Sequence, residues 1–166
     1  MRQLARLEGA VYSIERVVDL KEKQSKFFQL VEAEDAILLV ASGEVTAGVD
    51  LSGLREDDVR LENGGKKAIV HLPRATIFSK RLDNERTYVH TRRTDALATR
   101  RENLETRARQ EAERTLEKAA LDGGILKTAE ESVGRTVEAL TRSLGVDEVE
   151  VVFSSAGSET LPNVAP

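Results

Sequence analysis

The chain has 166 residues, 40% of them hydrophobic, 4% aromatic and 33% charged, with no Trp. Its 25 basic and 29 acidic side chains leave a net charge of -4, which gives no long-range attraction to nucleic acid or to an anionic membrane surface. Cysteine is absent, so disulfides, thiol nucleophiles, iron–sulfur clusters and every cysteine-ligated zinc site are excluded.

The first elements read as strands. Tyr12, Ile14, Val18 and Leu20 share one parity while Val11 and Val17 take the other, and residues 27–31 continue in the same style. Ala36-Ile37-Leu38-Leu39-Val40 is a continuous apolar run, the pattern of a more deeply buried strand. Gly43 is placed to bend one long strand that joins this run to Glu44-Val45-Thr46-Ala47-Gly48-Val49-Asp50-Leu51. There Val45, Ala47, Val49 and Leu51 alternate with Glu44, Thr46, Gly48 and Asp50, so one face is buried.

Residues 59–62 and 67–72 flank Asn63-Gly64-Gly65-Lys66, a tight hairpin turn, and Pro73 ends the second strand or sets it at an edge. Residues 75–82 and 86–91 are two further strands separated by the turn-forming Asp83-Asn84. Leu97, Leu104, Ala108, Ala112, Leu116 and Ala119 then recur at helical spacing, with Thr94, or Thr99 with Glu102, capping the start. After Gly123-Gly124, a second helix is marked by Leu126, Ala129, Val133, Val137, Leu140 and Leu144 and is stopped by Gly145. Residues 149–153 read as a last strand.

These elements predict an α+β fold. A twisted antiparallel sheet from the N-terminal half packs on two C-terminal helices, and the last strand returns to the sheet. The expected organisation is a single domain over residues 1–153 followed by a flexible tail at 154–166, rich in Ser, Gly and Pro. No run approaches the ~20 apolar residues of a spanning helix, and Met1-Arg2-Gln3-Leu4-Ala5-Arg6 lacks the apolar stretch of a signal peptide. As written, the chain reads as soluble.

Gly43-Glu44-Val45-Thr46-Ala47-Gly48-Val49-Asp50-Leu51-Ser52 resembles the signature strand of the bacterial domain-of-unknown-function family 4230. Ile69-Val70-His71-Leu72-Pro73-Arg74-Ala75, Glu111-Ala112-Glu113, Ala129-Glu130 and Leu140-Thr141-Arg142-Ser143-Leu144-Gly145 follow in that family's order, so the likeness covers residues 7–153. The resemblance implies an N-terminal membrane anchor ahead of an extracytoplasmic domain tethered to a bacterial membrane. This chain starts after the place such an anchor would occupy. The family has no assigned activity, so the resemblance transfers no catalytic residue and no cofactor.

Candidate chemistry is thin. His71 and His90 lie in separate predicted strands without metal-ligand spacing, and read as surface or edge residues. Ser52, Ser79, Ser154 and Ser155 have no Gly-x-Ser-x-Gly elbow or other local activating feature. Asp57-Asp58 and Glu130-Glu131 read as solvated turn or helix-start acids. Asn63-Gly64-Gly65-Lys66-Lys67 fits a hairpin rather than a phosphate loop.

One cluster stands out: His90, Arg92, Arg93, Arg100 and Arg101, around the predicted start of the first helix, where cations oppose the helix dipole and invite an anion. The first helix's Ala- and Leu-rich stripe also offers a surface for homo-oligomerisation. The expected function is a non-enzymatic, membrane-proximal or envelope-associated binding or scaffolding module, with no metal or cofactor and an unknown protein or envelope partner. The alternatives are an enzyme without a local motif, and an anion- or nucleic-acid-binding domain using the arginines around Arg92.

Overall fold

Period-two alternation and helical periodicity divide the chain as its sequence predicts. The computed structural model describes residues 5–26, 31–94 and 103–154. Strands β1 (Arg6–Lys26) and β2 (Val31–Asp50) come first, then β3 (Val59–Glu62), β4 (Lys67–Pro73), β5 (Thr76–Leu82) and β6 (Tyr88–Thr94). Helices α1 (Leu104–Asp122) and α2 (Ile125–Ser143) follow, and β7 (Glu148–Ser154) ends the described chain. The fold is α+β.

The strands form two sheets. A four-stranded sheet runs in the order β1-β2-β5 with β6 also pairing β2, and a three-stranded sheet runs β3-β4-β7. The last strand does return to a sheet, but in parallel: β7 pairs β4 from Lys67↔Glu148 to Pro73↔Ser154. Parallel pairing needs a long crossover, and α1 and α2 lie within that connection. Of the strand expected over residues 27–31, residues 27–30 lie outside the described residues and Val31 opens β2; the tail beyond Ser154 also lies outside them.

Contacts gather into two units, and the strands β1, β2 and β5 contribute residues to both. In the unit of residues Val11–Thr46 and Phe78–Ile125, the core joins Val18, Ile37, Leu39 and Ala41 to Leu104, Ala108 and Ala112 of α1. The apolar run at residues 36–40 therefore alternates after all, with Ile37 and Leu39 buried and Ala36, Leu38 and Val40 half-buried. β2 passes through Gly43 as one continuous strand. A Cβ at Gly43 would stand 2.4 Å from the Arg81 carbonyl oxygen and 2.7 Å from Leu116 Cδ1, so that position admits no side chain.

The other unit holds residues Met1–Ala10, Ala47–Ile77 and Leu126–Pro166. Ala47, Val49, Ala68, Val70, Leu72 and Ala75 are buried here together with Ala129 and Val133 of α2. The β3–β4 hairpin turns through Asn63, Gly64 and Gly65, all at positive φ, where glycine carries no Cβ penalty. Gly9 of β1 meets the backbone of α2, and a Cβ there would lie 2.4 Å from the Ala129 carbonyl oxygen and 2.8 Å from its Cα. Further along α2, Leu140 is exposed, as is Leu144 just beyond the helix, so the apolar pattern outruns the packing.

Gly9→Ala sets a methyl group against helix backbone, which cannot rotate aside. The expected result is a loss of about 1–3 kcal/mol, the usual range for overpacking, read as a lower chemical-denaturation midpoint. Gly53→Ala, where a Cβ meets nothing within 4 Å, serves as the control and keeps its midpoint.

Candidate functional site

Two strands, β4 and β7, finish together at one end of the smaller sheet, near the start of β3. β4 finishes at Pro73 and β7 at Ser154, in register with each other, while β3 starts at Val59 opposite Val70. Asp58, the residue before Val59, and His71, the residue after Val70, both line the cleft that forms here. The end of β2 supplies Asp50, and the turn after it supplies Ser52, Gly53 and Leu54. Together with Leu72, Pro73 and Ser154 these residues line a half-open cleft of about 320 Å³.

Turn chemistry fixes both carboxylates. Asp50 Oδ1 accepts the Ser52 backbone N–H at 3.0 Å, and Arg6 Nε stands 3.6 Å from Asp50 Oδ2. The Ser52 hydroxyl, then the Ser52 N–H and the Arg6 charge, hold the Asp50 carboxyl below its ordinary value of 3.8, outweighing the upward push of burial. Asp58 Oδ2 accepts the Arg55 backbone N–H at 2.7 Å and so closes the short 3-10 turn at Glu56–Asp58. His71 lies on the half-buried face of β4, opposite the buried Val70 and Leu72. Among the described residues, no group of three or more His, Asp or Glu side chains is placed to hold a metal ion.

The family model for proteins of unknown function, DUF4230, matches residues 1–151. The chain belongs to the DUF4230 family. No curated protein and no solved structure matches it. Among the described residues, no helix of this DUF4230 domain is long and apolar enough to cross a membrane.

Two stretches that carry the family likeness meet in the domain. Glu130 of α2, expected to be a solvated acid, instead reaches the β4–β5 turn: its Oε2 accepts Arg74 Nη1 at 3.1 Å and its Oε1 accepts the Ala75 N–H at 3.2 Å. The neighbouring Ala129 is the residue that Gly9 packs against. The Leu72-Pro73 end of β4, which lines the cleft, is thereby anchored to α2 through the next two residues.

The sequence-predicted basic cluster has a different setting. His90, Arg92 and Arg93 lie on β6, a strand, whereas α1 starts at Leu104 with Asn103 before it. Arg100, Arg101, Leu97 and the Thr99–Glu102 pair lie outside the described residues. Thr94 is no helix cap: its hydroxyl donates to Asp35 Oδ1 at 2.7 Å. Arg92 turns to the same carboxylate, with Nη2 2.9 Å from Asp35 Oδ2, where the Asp35 side chain is wholly buried and that of Arg92 is 16% exposed. His90 is the extra residue of a β-bulge, since Leu38 pairs Thr91 while Leu39 pairs Val89. The bulge and the ion pair both belong to the packing of β6 on β2.

Ser52, Asp58, His71 and Ser154 each lack a local activating feature in the sequence, and the fold gathers them at one cleft. Asp50 reads from the sequence as one position of an alternating strand, and Leu54 carries no local signal of a site. The ladder register of β3, β4 and β7 would have found His71 and Ser154, and the end of β2 would have had to be placed beside them to add Asp50 and Ser52.

Two outcomes follow. Ser52→Ala should raise the Asp50 pKa toward 3.8, followed by carboxyl NMR titration. Because the folded pKa is depressed, its contribution to stability is present above 3.8 and is lost as pH falls through the folded value, so the variant should lose less on acidification. Asp35→Ala leaves Arg92 without its buried carboxylate and should cost about 3–5 kcal/mol in denaturant unfolding, whereas Arg93→Ala, on an exposed position, should leave stability nearly unchanged.

Proposed function

We propose that this domain is a non-enzymatic binding module, and that the cleft around Asp50, Asp58 and His71 receives a cationic group of its partner, an ammonium or a guanidinium. The observation that carries this reading is the convergence of two carboxylates on one cleft with apolar walls from Leu54, Leu72 and Pro73. A depressed Asp50 pKa keeps one of those charges in place through the neutral range. Apolar walls suit the methylene stem of a Lys or Arg side chain while its charged head meets the acids. A peptide segment of an envelope protein has this chemistry. The setting at a bacterial membrane rests on the architecture that the family resemblance implies.

A second reading, hydrolysis, is favoured by one specific observation: His71, Ser52, Ser154 and Asp58 share the cleft.

Backbone-amide NMR titration separates the readings. A Gly-Lys-Gly or Gly-Arg-Gly tripeptide should shift the amides of Ser52, Gly53 and His71, and a Gly-Glu-Gly tripeptide should not. Asp58→Asn, which retains an oxygen for the Arg55 N–H, should weaken binding by about tenfold, or roughly 1.4 kcal/mol. Equal response to acidic and basic peptides, or none, would sink the binding reading. Turnover of an activated ester that disappears in His71→Ala would establish the hydrolytic one.

A further inference from the structure

Among the described residues, strand β3 has one neighbour. It is the terminal strand of the three-stranded sheet, paired through all of Val59–Glu62 to β4, and none of the described residues pairs with its other edge. All of its residues are exposed, including Val59 at 46% and Leu61 at 63%. An open edge carries unpaired N–H and C=O groups on every second residue and is a template for another strand. Proteins usually protect such an edge with charge, because a copy of the same strand would then meet a like charge. Here the two charges are Arg60 and Glu62, opposite in sign and two positions apart.

We propose that β3 is a self-association edge, joining two copies of the chain antiparallel about a two-fold axis with Leu61 opposite Leu61 and Arg60 opposite Glu62. The register follows from two constraints. In an antiparallel pair, residues whose backbone groups point outward stand directly opposite each other, so facing positions have the same parity. For two identical strands related by a two-fold axis, only three such registers use these residues well. Centring on Arg60 sets arginine against arginine, and centring on Glu62 sets glutamate against glutamate; both are repulsive. Centring on Leu61 pairs Arg60 with Glu62 twice, by symmetry. Val59 and Leu61 of both copies then share the opposite face as one apolar cluster. The interface is isologous and closed, so it yields a dimer rather than a fibre. Its partner is a second copy of this chain, and the two three-stranded sheets become one continuous sheet.

Sedimentation equilibrium over a concentration series tests this on the intact chain, with circular dichroism confirming that each variant is folded. The unaltered chain should show a monomer–dimer equilibrium. Arg60→Glu alone and Glu62→Arg alone each set like charges opposite one another and should weaken dimerisation by tenfold or more. The double swap, Arg60→Glu with Glu62→Arg, restores opposite charges in the same register and should restore the dimer. A chain that stays monomeric at every concentration reached overturns the proposal. So does a dimer that is indifferent to the single swaps, or one that the double swap fails to recover.

Discussion

The constraint on which the rest depends is how closely backbone approaches backbone. A chain with 4% aromatic residues and no Trp cannot fill wide gaps between layers with large side chains. It brings its layers together instead. Gly43 lies against the Arg81 carbonyl and Leu116, each within one unit, and Gly9 lies against Ala129 within the other. The buried positions of α1 include Ala108, Ala112 and Ala120, and those of α2 include Ala129, so each helix can settle near its strands. Tight packing gains dispersion contacts over many small groups and leaves little tolerance for an added methyl. The family-like stretches fall on these approaches: Gly43 opens one, and Ala129-Glu130 and Arg74-Ala75 are tied together beside the other.

The same economy explains the deeply buried Asp35–Arg92 charge pair. Asp35 sits on the face of β2 that carries Ile37, Leu39 and Ala41, a face otherwise apolar and covered by α1. A lone carboxylate there would be costly, and Arg92 and Thr94, arriving on β6 in register with Ile37 and Asp35, supply its hydrogen bonds. Slipping β6 by one residue would reverse which side chains face inward and strand that charge among apolar neighbours. The pair thus specifies one alignment of β6, which the His90 bulge then shifts for the remainder of the strand. A cluster that looked from the sequence like an invitation to an anion has, at Arg92, an anion of its own.

Legibility followed the range of the interactions. Alternation at Val45, Ala47 and Val49 and the turn at Asn63-Gly64-Gly65 were readable because each is settled within a few residues. The helical stripe at Leu104, Ala108, Ala112 and Leu116 was readable for the same reason. Its start was not, since Thr94 has two uses for a hydroxyl and the partner that decides between them, Asp35, lies far upstream. Nor was the parallel β4–β7 pairing, because a pattern of alternation says which face is buried and nothing about which strand lies beside it. The cleft failed to show for a related reason. Asp50, Asp58, His71 and Ser154 are ordinary residues in their local settings; strand register brings the ends of β4 and β7 and the start of β3 to the cleft, and Asp50 reaches it from the end of β2 in the other sheet.

That origin also decides how the cleft's charges can act. Strand ends leave backbone N–H groups without ladder partners, and short acidic side chains satisfy them. Asp50 serves Ser52 with one oxygen and faces Arg6 with the other. Asp58 serves Arg55 through Oδ2 alone among the hydrogen bonds described for it, so Oδ1 keeps lone pairs for a ligand. The two acids therefore have unequal parts in the binding proposed for this cleft. Asp50 is a fixed background charge whose geometry is already determined by its turn, while Asp58 is the carboxylate able to accept a new donor. A cation entering the cleft is drawn by both and held by Asp58, and its hold is strongest where the apolar walls exclude water from that bond.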